Sequence, residues 1–165
     1  MLDALDLALL EALHDDARLG PLELSRSIGV ARATVSSRLQ RLQDDGVISG
    51  YRAELDLRQA GFTVQAFVTL QIVQGAIDAV RRDLETIPGV LEAYATTGEG
   101  DLVCRVAAAS HEELQTTLLA LNRSGRVARS TSVVILSELV PWRTLPLLRS
   151  AATSGAGRSA MPVRP

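Results

Sequence analysis

The spacing of apolar residues first changes from a helical to a strand period at residue 64, and that change limits the folds open to this chain. Before it, apolar residues recur at helical spacing: Leu2, Leu5, Leu9 and Leu13, then Leu24 and Ile28, then Val35, Leu39 and Leu42. Each set places one apolar stripe on a short amphipathic helix. From residue 64 onward, Val64, Ala66, Val68, Leu70 and Ile72 alternate with Gln65, Phe67, Thr69 and Gln71, the period of a half-buried strand. With 165 residues, 47% of them apolar, the chain has enough material for one helical core and one sheet core.

The helical half has recognisable starts and stops. Asp3 is placed to cap a first helix over residues 2–13, and Pro21 fits the first position of a second. Gly29 then reverses the chain, a third helix starts at Ala31, and Gly46 stops it. The third helix carries Arg32, Ser36, Ser37, Arg38 and Arg41 on its polar faces, with no acid before Asp44. A basic helix after a tight turn matches a helix-turn-helix, whose second helix enters the major groove of DNA. Arginines can pair with phosphates or guanine edges, and small side chains allow close approach. The candidate DNA-binding residues are therefore Arg32, Ala33, Thr34, Ser36, Ser37, Arg38 and Arg41. An ordinary helical hairpin with a solvated charged face would show the same local pattern. Val47-Ile48, a turn at Ser49-Gly50 and Tyr51–Asp56 are expected to form a short wing or exit strand, and the stretch ending near Gly61 a hinge.

The second half reads as βαββαβ. After the strand from residue 64 comes a helix with Ile77, Val80, Leu84 and Ile87 on one side, stopped by Pro88-Gly89. Strands over 90–97 and 101–107 flank the turn Gly98-Glu99-Gly100. Ser110 and Glu113 form a capping box for a second helix, and a last strand is expected over 127–139. The fold class is α+β: a three-helix, winged helix-turn-helix domain over 1–50, a linker strand and hinge over 51–61, and a ferredoxin-like domain over 62–140. Both helices of such a domain pack on one sheet face. The other face would present Phe67, Tyr94 and Val103, too apolar for water, so a homodimer through the sheet is expected. Residues 141–165 read as a C-terminal tail, disordered from about 151. Its Arg143, Arg149, Arg158 and Arg164 stand without an acid, which allows a weak DNA contact or a merely solvated end.

Composition removes several classes. Aromatic residues make up only 3% of the chain, against a single-strand binder that stacks bases on aromatic platforms. The formal charge is −2, so DNA would have to be attracted by a local basic helix rather than by the whole molecule. Cys104 is the single cysteine, which rules out an internal disulfide and a multi-cysteine zinc site. No signal peptide and no membrane-length apolar run is present, so a cytoplasmic location is expected. His14 and His111 stand outside any nucleophile, metal or phosphate-loop spacing, so no catalytic residue, metal or cofactor is expected.

The motifs together carry a resemblance. The stretch LDALDLALLEALHDDARLGPLELSRSIGVARATVSSRLQRLQDDGVISGYRAELD resembles the N-terminal signature of the Lrp/AsnC (feast/famine) family of transcription regulators. The matching positions are Leu2-Asp3, Asp6, Ala17-Arg18, Glu23-Leu24, Gly29, Thr34-Val35, Arg38, Leu42 and Gly46-Val47-Ile48. The resemblance extends over roughly residues 2–140. It implies double-stranded DNA as partner, a βαββαβ domain that dimerises and builds larger even-numbered oligomers, and a small-molecule effector, commonly an amino acid. Relatives usually carry Gly-x-Tyr-Asp between the second and third strands. Here Thr97, Gly98, Glu99, Gly100 and Asp101 stand at that place, with Gly98 and Asp101 matching and Gly100 replacing the tyrosine. Backbone amides around the glycines can hold a carboxylate, Asp101 can pair with an ammonium, and the missing tyrosine is expected to open space. A plain hairpin turn closed by Asp101 would require the same residues. Ala31 also departs from the family, where serine often caps the recognition helix. The leading expectation is a sequence-specific, effector-responsive regulator. An effector-independent architectural DNA-binding protein and a dimeric ferredoxin-like enzyme are the alternatives.

Overall fold

Asp3 starts the first helix by reciprocal capping. Its carboxylate accepts from the Asp6 amide at 2.9 Å, and the Asp6 carboxylate accepts from the Asp3 amide at 3.0 Å. In the computed structural model, which describes residues 2–158 and the side chains up to residue 151, this helix is α1 (Ala4–Asp15). Helix α2 (Pro21–Ile28) has proline in its first turn, and Glu23 reaches back to the Gly20 amide at 2.8 Å. It ends at Gly29, whose φ of 77° is a left-handed conformation that a side chain would strain. Helix α3 (Arg32–Asp44) follows, with Ala31 giving no side-chain cap. Leu9, Leu13, Leu24 and Val35 form the buried centre of this bundle, with Leu5, Leu19, Ile28, Leu39 and Ile48 packed around them.

The sheet contains β1 (Val64–Ile72), β2 (Val90–Ala95), β3 (Leu102–Ala108) and β4 (Val127–Val134) in the antiparallel order β2-β3-β1-β4. Helices α4 (Ile77–Glu85) and α5 (His111–Asn122) cover one face. Their Val80, Leu84, Leu114 and Leu121 close over Ala66, Val68 and Leu70 of β1 and Leu102, Cys104 and Val106 of β3. This is the expected βαββαβ arrangement. Burial pushes the Cys104 thiol up to about 11, so it packs as an unreactive apolar group. At α5, Ser110 accepts from the Glu113 amide at 3.1 Å, while the Glu113 carboxylate bonds the Ala109 amide rather than completing a box on Ser110.

Three expectations are corrected. Residues 45–61 form turns and an unpaired segment, so the linker strand expected over 51–61 is absent, because no neighbouring strand offers it a ladder. Strand β4 stops at Val134 and not at 139: its partner β1 begins at Val64, so the ladder ends with the Ile135 amide on the Gln65 carbonyl. The tail expected to be disordered from about 151 is helical as far as it is described, in α6 (Leu145–Arg158), and its residues 159–165 lie outside the described residues. Leu145 is buried, and Arg149 bonds Glu11 of α1 at 2.6 Å. Arg164 lies outside the described residues. Two compact units result: residues up to Ala53 together with those from Val140 onward, and Glu54–Leu139.

Candidate nucleic-acid interface

Helix α3 buries Val35 and Leu42 and half-buries Leu39, which fixes the side it turns away from the bundle. Arg32, Ala33, Thr34, Ser36, Ser37, Gln40 and Arg41 are exposed along it. Ala33, Ser37, Gln40 and Asp44, spaced by four, three and four residues, form the stripe opposite Val35, Leu39 and Leu42. The first turn is the open part: Arg32, Ala33 and Thr34 stand beside uncapped backbone amides, suited to a phosphate.

Arg38 and Arg41 are placed differently from the rest. Both reach across to α1. Arg38 donates to Asp3 and, at 3.0 Å, to Asp6, and Arg41 donates to the second Asp6 oxygen. Asp6 is fully buried. Burial opposes its charge, yet the Asp3 amide and the Arg41 and Arg38 guanidiniums outweigh burial and hold the carboxyl below its usual range. The Asp6 amide and then Arg38 do the same for Asp3. These two arginines therefore brace α3 against α1, and their side chains keep 31% and 45% of their exposure toward solvent. They can neutralise phosphate only from a fixed position.

Sequence reasoning missed two residues of this region. Asp6 entered only as a family match, although an acid on the stripe of Leu9 and Leu13 is the sequence signature of a buried charge awaiting partners. Gln40 is exposed on the same helix but stands outside the seven candidate residues.

The second unit carries the other candidate site. Thr97, Gly98, Glu99, Gly100 and Asp101 form the turn joining β2 to β3. It is tied to the end of β1. The Asp101 carboxylate accepts from the Ile72 amide at 2.7 Å, the Asp101 amide donates to the Leu70 carbonyl, and Gln71 donates to the Glu99 carbonyl at 2.6 Å. No amide from Thr97 to Gly100 has an acceptor among the described residues. Gly100 opens no space: a Cβ there would lie 2.1 Å from Thr69 Cγ2. Close approach to β1 therefore requires glycine where the family pattern has tyrosine.

On the sheet face away from α4 and α5, Tyr94, Val103, Thr69 and Thr131 form one cross-strand row, and Glu92, Arg105, Phe67 and Val133 the next. Phe67 on the inner strand β1 and Tyr94 and Val133 on the edge strands β2 and β4 are 46%, 56% and 63% exposed, an apolar patch that spans the sheet face with Glu92 and Arg105 among them.

A helix-turn-helix with an open recognition helix, carried with a separate βαββαβ unit, defines a transcription regulator with a second domain of its own. Comparison with known proteins gives the family. Residues 2–49 match a winged helix-turn-helix DNA-binding family model, and residues 65–145 match the Lrp/AsnC ligand binding domain. The chain is 31% identical to the regulatory protein AsnC of Escherichia coli over 147 residues, 88% of this chain and 96% of that one. It is 32% identical to the transcriptional regulator AldR of Mycolicibacterium smegmatis, over 84% of this chain and 83% of AldR. Among solved structures, E. coli AsnC superposes with a TM-score of 0.81 at 28% identity, covering 88% and 99% of the two chains. A Neisseria meningitidis transcriptional regulator in complex with L-Met gives 0.83 at 26%, covering 91% and 99%. The chain belongs to the Lrp/AsnC family of DNA-binding transcription regulators and is not an enzyme. Among the described residues, no helix is long and apolar enough to cross a membrane.

Proposed function

We propose that this chain is a sequence-specific cytoplasmic regulator that grips duplex DNA with α3 as part of an even-numbered homo-oligomer and answers to an amino acid or a related small metabolite. The observation that carries this reading is the open face of α3, from Arg32 to Arg41, held rigidly by Asp6 and the leucine core behind it. Arg32, Ala33, Thr34, Ser36 and Ser37 approach the groove, while Arg38 and Arg41 serve phosphates from their braced positions. The apolar patch of Phe67, Tyr94 and Val133 supports pairing of two sheets. For the effector, the amides of Thr97, Gly98, Glu99 and Gly100 offer an anion site and Asp101 a cation site. A solved relative that holds L-Met supports the amino-acid class.

Footprinting tests the DNA reading. Discrete protected repeats are the expected result; continuous, sequence-blind coverage would make the chain an architectural binder. A thermal-shift screen against the amino acids tests the effector, because a ligand that prefers the folded state raises the apparent stability. Asp101→Ala should abolish the shift produced by the best ligand, and an unchanged shift would place the site elsewhere.

A further inference from the structure

With Arg38 and Arg41 tied to Asp3 and Asp6, the outward stripe of α3 is almost uncharged, and its chemistry changes accordingly. On that stripe Ala33 offers a methyl group, and Ser37 a hydroxyl that bonds donors and acceptors alike. Gln40 alone there offers a donor and an acceptor side by side. Its amide is already oriented: Nε2 donates to the Asp44 carboxylate at 2.8 Å. A carboxylate accepts only, so it fixes which end of the amide is nitrogen. The oxygen and the second N–H hydrogen then remain for a ligand. Gln43 differs, since its Nε2 donates to the Tyr51 hydroxyl at 3.2 Å, off the stripe.

We infer that Gln40, oriented by Asp44, is the residue that sets base preference, and that it selects adenine from the major groove. This rests on the DNA-binding reading above. Adenine presents N7 as acceptor and N6 as donor, the complement of the two groups on Gln40. Guanine presents two acceptors and sets O6 against the Gln40 oxygen. Cytosine and thymine each satisfy one group only. Asp44 is a positioning residue, since it acts through Gln40.

Selection from a library of randomised duplexes by the full-length chain tests this. The wild type should enrich an adenine at one position of each half-site, preferred by about 5- to 150-fold over other bases. Gln40→Ala should make that position degenerate while leaving the rest of the motif and the salt dependence unchanged. Gln40→Glu, an acceptor only, should move the preference toward cytosine. Asp44→Ala should keep the adenine with a smaller preference, at an unchanged melting temperature, which a purely helix-stabilising Gln40–Asp44 pair would not produce. A wild-type motif that survives Gln40→Ala and Gln40→Glu intact would overturn the assignment alone. Failure of the wild type to enrich any sequence would overturn the sequence-specific reading and this assignment with it.

Discussion

Replacing Asp6 by alanine removes the one acceptor that joins α1 to both braced arginines of α3. Three interactions go at once: the bonds from Arg38 and Arg41, and the half of the capping box that satisfies the Asp3 amide. A hydrogen bond to a charged group contributes about 1.5–3 kcal/mol, and solvent around both guanidiniums moves each toward the lower end. Loss of the cap adds about 0.5–1 kcal/mol. The expected cost is about 3–4 kcal/mol, a large part of the roughly 5–15 kcal/mol that holds a domain together. Asp6→Asn keeps the volume but turns an NH2 donor toward groups that themselves donate, so it should not recover the loss. Asp3 and Asp6 both titrate below the ordinary carboxylate range, so their contribution is complete above about pH 4 and is lost as pH falls from there. The acid limb of stability should therefore flatten in Asp6→Ala. Hydrogen exchange on the full-length chain reads the opening energy of α1 and α3 separately from that of β1 and β3. A change below about 1 kcal/mol in α1 and α3, or an equal change in the strands, would refute the reasoning.

Arg32→Ala should weaken DNA binding with folding intact and reduce the salt slope by about 1 if Arg32 meets a phosphate; binding titrations at several salt concentrations decide. Phe67→Asp puts a charge into the apolar sheet patch and should raise the dimer dissociation constant at least about thirtyfold, as measured by sedimentation equilibrium. Gly100→Ala drives a methyl group into Thr69 and should cost about 1–3 kcal/mol, most of it recovered in the double variant with Thr69→Ala; urea unfolding of the four proteins measures the coupling.

What the sequence disclosed follows from how local each determinant is. The three helices were legible because Asp3, Pro21 and Gly29 act within a turn of their own positions, and β1 because its alternation needs no partner to be seen. The end of β4 was not, since it depends on where β1 begins rather than on the apolar residues that continue to Val140. Helix α6 was hidden by a composition of small residues: Leu145 and Arg149 acquire meaning only when α1 presents a surface and Glu11. In the site, Arg32 and Thr34 were readable as exposed helix-start residues. The bracing of Arg38 and Arg41 was not, because their acceptors lie more than thirty residues away in sequence. Gly100 likewise looked like lost bulk until Thr69 appeared beside it.

In the proposed function DNA binds α3 and self-association uses the outer sheet face, and these surfaces can be told apart in one experiment. Ultraviolet cross-linking of the full-length chain to an operator duplex, followed by mapping of the attached peptides, should recover residues 32–41. Attachment through Phe67, Tyr94 and their neighbours on the sheet, with α3 unmodified, would contradict the proposal.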